Sequence, residues 1–341
     1  MTSPPPPFHE GECAAQERVG VREKMRAVGQ HAIRDFMPDQ HREFFTQLPF
    51  VIVGTVDEQG QPWASVLANP PGFIASPTPH ELVICARPLT ADPLADTLAR
   101  HAPIGLLGIA PHTRRRNRMN GVIERVTDSC LQVRVSQSFG NCPKYIQARR
   151  SEYVPGHGDA KPVHRTRLGD EAVRRLIQHA DTFFIATAYP ANNTDATASA
   201  HGVDVSHRGG KPGFVRVDND RTLTVPDYAG NQFFNTIGNL LVNPRAGLLF
   251  IDFDTGDLLY LAVAAEIIWE GEPLHAFEGA QRLLRFYVSA VRHVQASLPL
   301  RWGPAQRSPF LDRLDANAFT DPVDSSPRVR PCSVHAYKSS S

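Results

Sequence analysis

Short runs of Val, Ile, Leu and Phe, bounded by Gly, Pro, Asn and Asp, recur along most of the chain. That pattern predicts β-strands joined by turns. The runs come in two sets. Phe50-Val-Ile-Val-Gly-Thr55 has a counterpart in Phe183-Phe-Ile-Ala-Thr-Ala188, and Ala64-Ser65 in Ala198-Ser199. Pro71-Gly72-Phe73 matches Pro212-Gly213-Phe214, Ile104-Gly-Leu-Leu-Gly-Ile109 matches Ala246-Gly-Leu-Leu-Phe-Ile251, and Gly121–Val126 matches Val263–Ile268. Gly72 and Gly213 lie 141 residues apart, Gly105 and Gly247 lie 142 apart, but Phe50 and Phe183 only 133. The chain therefore reads as an internal repeat. The second copy carries about eight extra residues, placed in the stretch that includes Val203–Lys211. Insertions on a repeated scaffold are places where function concentrates.

A helical period interrupts the strands at Phe233, Phe234, Ile237, Leu240 and Leu241. It predicts a helix over about Gln232–Val242, ended by Asn243-Pro244. The matching helix of the first copy is expected over Pro93–Arg100. Flanking helices are expected over Gln40–Gln47, Glu171–His179 and Leu274–Gln295. Strands that close on themselves with one helix over the opening predict a small barrel. The fold class is mainly β with flanking helices (α+β), as two tandem barrels. Residues 1–35 form a Pro-rich, extended segment. Residues 36–150 form barrel one, 165–300 form barrel two with a C-terminal helix, and 322–341 form a flexible tail.

Composition narrows the function. At 341 residues, with 41% hydrophobic and 21% charged, each half is long enough to bury a core. A net charge of +1 gives no reason to expect nucleic acid as a partner. No apolar run reaches membrane length, and the N-terminus lacks the layout of a signal peptide. Five cysteines, Cys13, Cys85, Cys130, Cys142 and Cys332, are scattered with no Cys-x-x-Cys pair. A disulfide framework and a zinc ribbon are therefore not expected, and a reducing, cytoplasmic setting is. No His-Glu-x-x-His element, P-loop or Gly-x-Gly-x-x-Gly element is present, and no metal is expected.

Three ordered runs carry a resemblance. They are Asp204-Val-Ser-His-Arg-Gly-Gly-Lys-Pro-Gly-Phe-Val-Arg-Val217, Thr222-Leu-Thr-Val-Pro-Asp-Tyr-Ala-Gly-Asn-Gln232, and Asn239-Leu-Leu-Val-Asn-Pro-Arg-Ala-Gly-Leu-Leu-Phe250. Together they resemble the pyridoxamine 5′-phosphate oxidase-like FMN-binding split-barrel family. The resemblance spans about Gly169–Trp269, and more weakly Phe44–Val126. It implies six-stranded split barrels with FMN at the interface of two of them, here an intrachain pseudo-dimer, with a further homodimer left open. It implies FMN, or a deazaflavin in its place, NAD(P)H or a partner reductase as electron source, and a small-molecule substrate. The family includes vitamin B6 oxidases, flavin reductases and plain flavin binders, so the fold does not choose the reaction. The function expected is an FMN-dependent oxidoreductase. The alternative is a non-enzymatic flavin-binding or electron-transfer scaffold.

A flavin phosphate needs N–H donors and cations. Gly230-Asn231-Gln232 precedes the predicted helix, and Thr236 follows one turn on. Family members often carry a basic residue where Gln232 stands, and Arg208 is the candidate to replace it. Ser206, Arg208, Gly209, Pro226, Asp227, Asn231, Gln232 and Thr236 are the cofactor-binding candidates. His207, Lys211, Asn141, Lys144 and Tyr145 are pocket candidates, the last three from the unusual run Gln137-Ser-Phe-Gly-Asn-Cys-Pro-Lys-Tyr-Ile146. Arg114-Arg-Arg-Asn-Arg118, ahead of the turn signal Asn120-Gly121, reads either as a solvated hairpin loop or as a binder of an anionic group. Thr90-Ala-Asp-Pro93 stands where the first copy would need a phosphate loop, so that copy is expected to have lost its own site. Phe8-His-Glu-Gly-Glu12 could cover the pocket.

Overall fold

The computed structural model describes residues 6–155, 163–190, 200 and 202–316. Ala198-Ser199 and the tail 322–341 lie outside them. Two helices, α1 (Glu10–Arg18) and α2 (Arg22–Ala32), come first. Most of the described part of the segment expected to be extended is therefore helical. α3 (Asp39–Thr46) leads into β1 (Phe50–Val56), β2 (Pro62–Ala68), β3 (Ile74–Ala75), β4 (Glu81–Ile84), β5 (Pro103–Ala110), β6 (Arg115–Val126) and β7 (Leu131–Asn141). Short β8 (Ser151–Tyr153) and β9 (Val163–Arg165) and helix α4 (Glu171–His179) connect to the second copy. This holds β10 (Thr182–Tyr189), β11 (Gly202–Gly209), β12 (Arg216–Asn219), β13 (Thr222–Tyr228), α5 (Asn235–Val242), β14 (Arg245–Ile251), β15 (Leu258–Ile268) and β16 (Ala280–Val294). β17 (Leu300–Trp302) and α6 (Pro309–Ala316) follow.

The two main sheets run β2-β1-β5-β6-β7-β4-β3 and β11-β10-β14-β15-β16-β13-β12. Position by position, this is one order used twice. Both curl into split barrels, each around its own apolar interior. A third cluster joins them, with Phe50, Ile52, Val66 and Leu107 from the first and Phe184, Val205, Leu249 and Tyr260 from the second. The strands of this seam are buried on both faces, which is why they read as unbroken apolar runs rather than alternating ones. Each such side chain contributes about 1.5–3 kcal/mol by leaving water. Gly105 and Gly247, at matching positions, let the opposite barrel's edge strand in. A Cβ on Gly105 would lie 2.4 Å from Val203 O, and one on Gly247 2.3 Å from Pro62 O.

Pairing corrects the repeat alignment. Gly54 faces Gly105 in β1–β5, and Ala186 faces Gly247 in β10–β14. The first strands therefore match at an offset of 132, and Phe50 corresponds to Thr182, not Phe183. The difference of one residue exchanges faces: Phe50 packs in the seam, whereas Phe183 packs inside barrel two. β2 corresponds to β11, so Ser65 matches Ser206 at an offset of 141, not Ser199. Residues 203–209 are thus a regular strand. The extra residues lie between Tyr189 and Gly202.

Other expectations also change. Leu274–Gln295 is not a helix. A single 3-10 turn, Glu272–Ala276, precedes β16, whose Val and aromatic residues favour a pairing strand between β13 and β15. α5 starts at Asn235 rather than Gln232, and its first-copy equivalent is only a 3-10 turn, Pro93–Asp96. Asn120-Gly121 is not a turn but the middle of β6, at a bulge opposite β7. Cys85 and Cys130 form a disulfide, contrary to the expectation from their spacing, and the case for a reducing compartment loses that support.

Candidate functional site

β11 is the edge strand of barrel two, and its side chains alternate between two surroundings. Asp204, Ser206 and Arg208 share one side. Asp204 is buried and accepts from Arg118 Nη1 and Asn120 Nδ2, both at 2.8 Å, across from barrel one. Its other oxygen accepts from Asn239 Nδ2 of α5 at 2.9 Å. Arg118 Nη2 also donates to Ser206 Oγ, and Thr236 Oγ1 donates to the same oxygen at 3.1 Å. Arg208 Nη1 lies 2.8 Å from Asp227 Oδ1, and Arg282 Nη1 lies 3.1 Å from Asp227 Oδ2. Arg116 donates from Nε to Cys142 O at 2.7 Å and from Nη1 to His207 O at 3.3 Å. Ser206, Arg208, Thr236 and Asp227 are thus brought together, beside two arginines of the other barrel.

The charge balance is one-sided. Arg116, Arg118 and Arg282 have basicities lowered first by burial, and Arg208 lowers all three further. Four guanidiniums therefore share one region. Among the described residues two carboxylates, Asp204 and Asp227, pair with them closely. The buried Nε atoms of Arg118, Arg208 and Arg282 and the Asn141 Nδ2 have no hydrogen-bond partner. Unpaired donors with surplus positive charge suit an anion bearing several oxygens. A flavin phosphate fits that requirement.

The remaining candidates fall into three groups. Asn231, Gln232 and Pro226 lie near the cluster but shape its backbone. Asn231 Oδ1 accepts from Phe233 N–H at 3.2 Å, Gln232 is left-handed with φ 67°, and Pro226 sits in β13 opposite Leu283. Asn141, Lys144 and Tyr145 come from the end of barrel one. Asn141 lies opposite Arg116 in the β6–β7 ladder. Lys144 Nζ and Tyr145 OH both donate to Ala229 O, at 3.3 and 3.2 Å, and the Tyr145 ring meets Tyr228 at 5.1 Å. His207, Gly209 and Lys211 serve otherwise. His207 points to the opposite side of β11, edge-on to Phe184 at 5.7 Å, and its burial keeps it neutral. Gly209 makes room for Tyr145 O, which a Cβ would approach to 2.0 Å. Lys211 is in the exposed turn after β11, where its carbonyl accepts from Phe214 N–H.

The motifs gave no role to Asp204, Asn239 or Arg282, offered the run holding Arg116 and Arg118 as either a loop or an anion binder, and read Asn120 as part of a turn. The basic run containing Arg116 and Arg118 is a strand, not a loop. Arg116, Arg118 and Asn120 alternate along it with Asn117 and Met119, so they share one face. That period of two was the available signal.

The repeat supplies a second, matching cleft. Strand register equates Ser206 with Ser65, Arg208 with Leu67 and Asp227 with Ala86. It equates Arg116, Arg118 and Asn120 with Leu258, Tyr260 and Ala262. Leu94 lies in the 3-10 turn that stands where the first copy would carry α5. The centre of this cleft holds buried Asp92, which accepts from Ser65 Oγ at 2.6 Å and Tyr260 OH at 3.0 Å. Burial raises the Asp92 carboxyl to about 6.

Fold and site together define a two-barrel protein of the split-barrel class, with an arginine-rich cleft between its barrels. Residues 37–157 and 170–299 both match the model of the pyridoxamine 5′-phosphate oxidase family. These stretches make up more than half of the chain, and the protein belongs to that family, whose members typically bind flavin. Among solved structures, HupZ from Group A Streptococcus is 17% identical with a TM-score of 0.29, over 38% of this chain and 96% of that one. A FAD-binding protein from Mesorhizobium loti is 13% identical with a TM-score of 0.27, over 40% and 99%. HutZ, the heme storage protein from Vibrio cholerae, is 17% identical with a TM-score of 0.27, over 39% and 98%. No curated protein matches the chain. Among the described residues no helix is long and apolar enough to cross a membrane.

Proposed function

We propose that the protein binds one FMN per chain, with its phosphate beside Ser206, Arg208 and Thr236, and works as a flavin-dependent oxidoreductase on a small molecule. The gathering of four guanidiniums carries this reading: Arg118, Arg208 and Arg282 pair with two carboxylates, and Arg116 stands beside them on Cys142 O and His207 O. A doubly charged phosphate would balance the surplus. Arg208 is the cation free to turn toward it, because it is partly exposed and Asp227 would keep Arg282. Ser206 Oγ accepts from Arg118 and Thr236, which leaves its own proton for an acceptor in the cleft. Tyr145 and Tyr228 give the mouth an aromatic wall. FMN supplies two-electron redox chemistry when bound, while the chain binds and orients it and limits its access to water. NAD(P)H or a partner reductase is the proposed electron source. The first-copy cleft lacks every cation of the second and holds an acid, so it takes no phosphate.

The test is the visible spectrum of the purified protein and the mass and amount of any released cofactor. Flavin bands with one FMN per chain support the reading, and reduction by NADPH or NADH supports the oxidoreductase part. Two FMN per chain would overturn the assignment of a single working cleft. Failure to take up added FMN would overturn flavin binding itself.

A further inference from the structure

The run Phe8-His9-Glu10-Gly11-Glu12 builds the start of α1 and its contacts. His9 is the N-cap. Its ring accepts from Gly11 N–H at 3.1 Å, and Glu12 Oε2 accepts from His9 N–H at 2.9 Å, which completes a capping box. Phe8 meets the Phe233 ring at 5.4 Å. Gly11 and Gly238 bring α1 and α5 together backbone to backbone. A Cβ on Gly11 would lie 2.2 Å from Gly238 O, and one on Gly238 2.5 Å from Glu12 N.

The loop leading into α5 contains two left-handed residues that are not glycine, Gln232 (φ 67°) and Phe234 (φ 63°). Such a backbone persists where its surroundings hold it. Several of the holders come from α1. Gln16 Nε2 donates to Phe233 O at 3.2 Å, and Asn235 Nδ2 donates to Glu12 Oε1. Glu12 and Gln16 are both buried. The His9 ring also donates from Nε2 to Asn239 Oδ1 at 2.9 Å, and Asn239 in turn holds Asp204 and thereby Arg118.

We infer that α1 is a working part of the cofactor cleft, in which Glu12 and Gln16 are positioning residues that hold the 231–236 loop in the shape that receives the phosphate. This inference rests on the flavin reading above. α1 touches the loop from behind and need not touch the cofactor. Burial pushes the Glu12 carboxyl well above its usual range, so glutamine is a fair replacement. It can accept from His9 N–H and turn its amide toward the Asn235 carbonyl oxygen, and a capping box takes either residue.

The experiment titrates FMN into the full chain and reads the quenching of flavin fluorescence. It compares Glu12→Ala, Glu12→Gln and Gln16→Ala with Ile123→Val, which trims the core of barrel one away from α1 and the loop. Glu12→Ala is expected to weaken FMN binding about tenfold or more, as for a lost buried hydrogen bond. Gln16→Ala weakens it in the same direction, Glu12→Gln stays within about twofold of the original, and Ile123→Val changes nothing. Because coupling is reciprocal, FMN should also slow tryptic cutting between Arg18 and Arg22. Unchanged binding by Glu12→Ala would overturn the inference, and so would an equal loss from Ile123→Val. If Glu12→Ala fails to fold, the Gln16→Ala result decides in the same way. Failure of the unaltered chain to bind FMN would remove the flavin reading itself and this inference with it, an outcome distinct from binding that is indifferent to α1.

Discussion

The two clefts between the barrels share a backbone and differ in almost every side chain that could meet a ligand. One is lined by Arg116, Arg118, Ser206, Arg208, Asp227 and Thr236. At the matching strand positions the other has Leu258, Tyr260, Ser65 and Leu67, with Ala86 two residues past β4 and Leu94 in the 3-10 turn that replaces α5. The only shared hydroxyl, that of the serine, is used differently. Ser206 accepts from an arginine, whereas Ser65 donates to Asp92. A duplicated fold thus keeps its packing and sheet order while its clefts part in charge. Burial explains why the change is thorough. A guanidinium in a closed cleft needs an anion, and a cleft without a ligand is better filled by leucine.

The largest predicted difference comes from removing the central group of each cleft. Arg118→Ala leaves the buried Asp204 carboxylate with amide donors alone. It should cost about 3–5 kcal/mol of unfolding free energy, the cost of breaking a buried pair, and should abolish FMN uptake. Tyr260→Phe at the matching position removes one of the hydrogen bonds to the Asp92 carboxylate. It should cost about 1.5–3 kcal/mol, as for a hydrogen bond to a charged group, and leave FMN binding as it was. Denaturant unfolding with FMN titration measures both, and equal effects from the two would end the comparison.

Arg208→Ala sharpens it at the ligand. Arg208 is partly exposed, and Asp227 retains Arg282, so stability should change by less than about 0.5 kcal/mol. One charge-assisted contact to phosphate is lost, and FMN affinity should fall about 10- to 100-fold. Loss of stability without loss of affinity would make Arg208 a packing residue instead.

Much of this arrangement was legible before any coordinates. The repeat and the mostly β content follow from runs and spacing, and Ser206, Arg208, Asp227 and Thr236 were among the candidates that the family resemblance implied. What was not legible depends on pairing. Phe183 looks like the partner of Phe50 because both open an apolar run, and only the β10–β14 register shows that Thr182 is. The segment from Leu283 to Val294 has apolar residues at intervals that suit a helix as well as a strand, and its place between β13 and β15 decides. Asp204, Asn239 and Arg282 belong to the cluster through contacts 35 to 86 residues apart in the chain, with Arg282 reaching Asp227 over 55. No local pattern marks them.

The smallest effect separates the clefts by pH. Asp92 titrates near 6 in the folded protein because burial disfavours its charge, against about 3.9 in an unfolded chain. Above pH 6 it is ionised in both states, and the folded state bears the penalty. As pH falls from 7 to 5 the folded state takes up a proton that the unfolded state does not, so this residue makes the protein more stable, by about 1 kcal/mol. Asp92→Asn removes the titration. Asparagine can keep the acceptor for the Leu94 N–H, which Asp92 receives at 2.8 Å, and Tyr260 can turn its hydroxyl to accept. The variant should therefore match or exceed the original stability at pH 7, and the gap between the two should close by about 1 kcal/mol on going to pH 5. FMN affinity at pH 7 should not move, because the cationic cleft lies across the seam. Urea unfolding at the two pH values measures the difference, and parallel curves would mean that Asp92 is already ionised at pH 5 and that the first cleft is more open to water than its packing indicates.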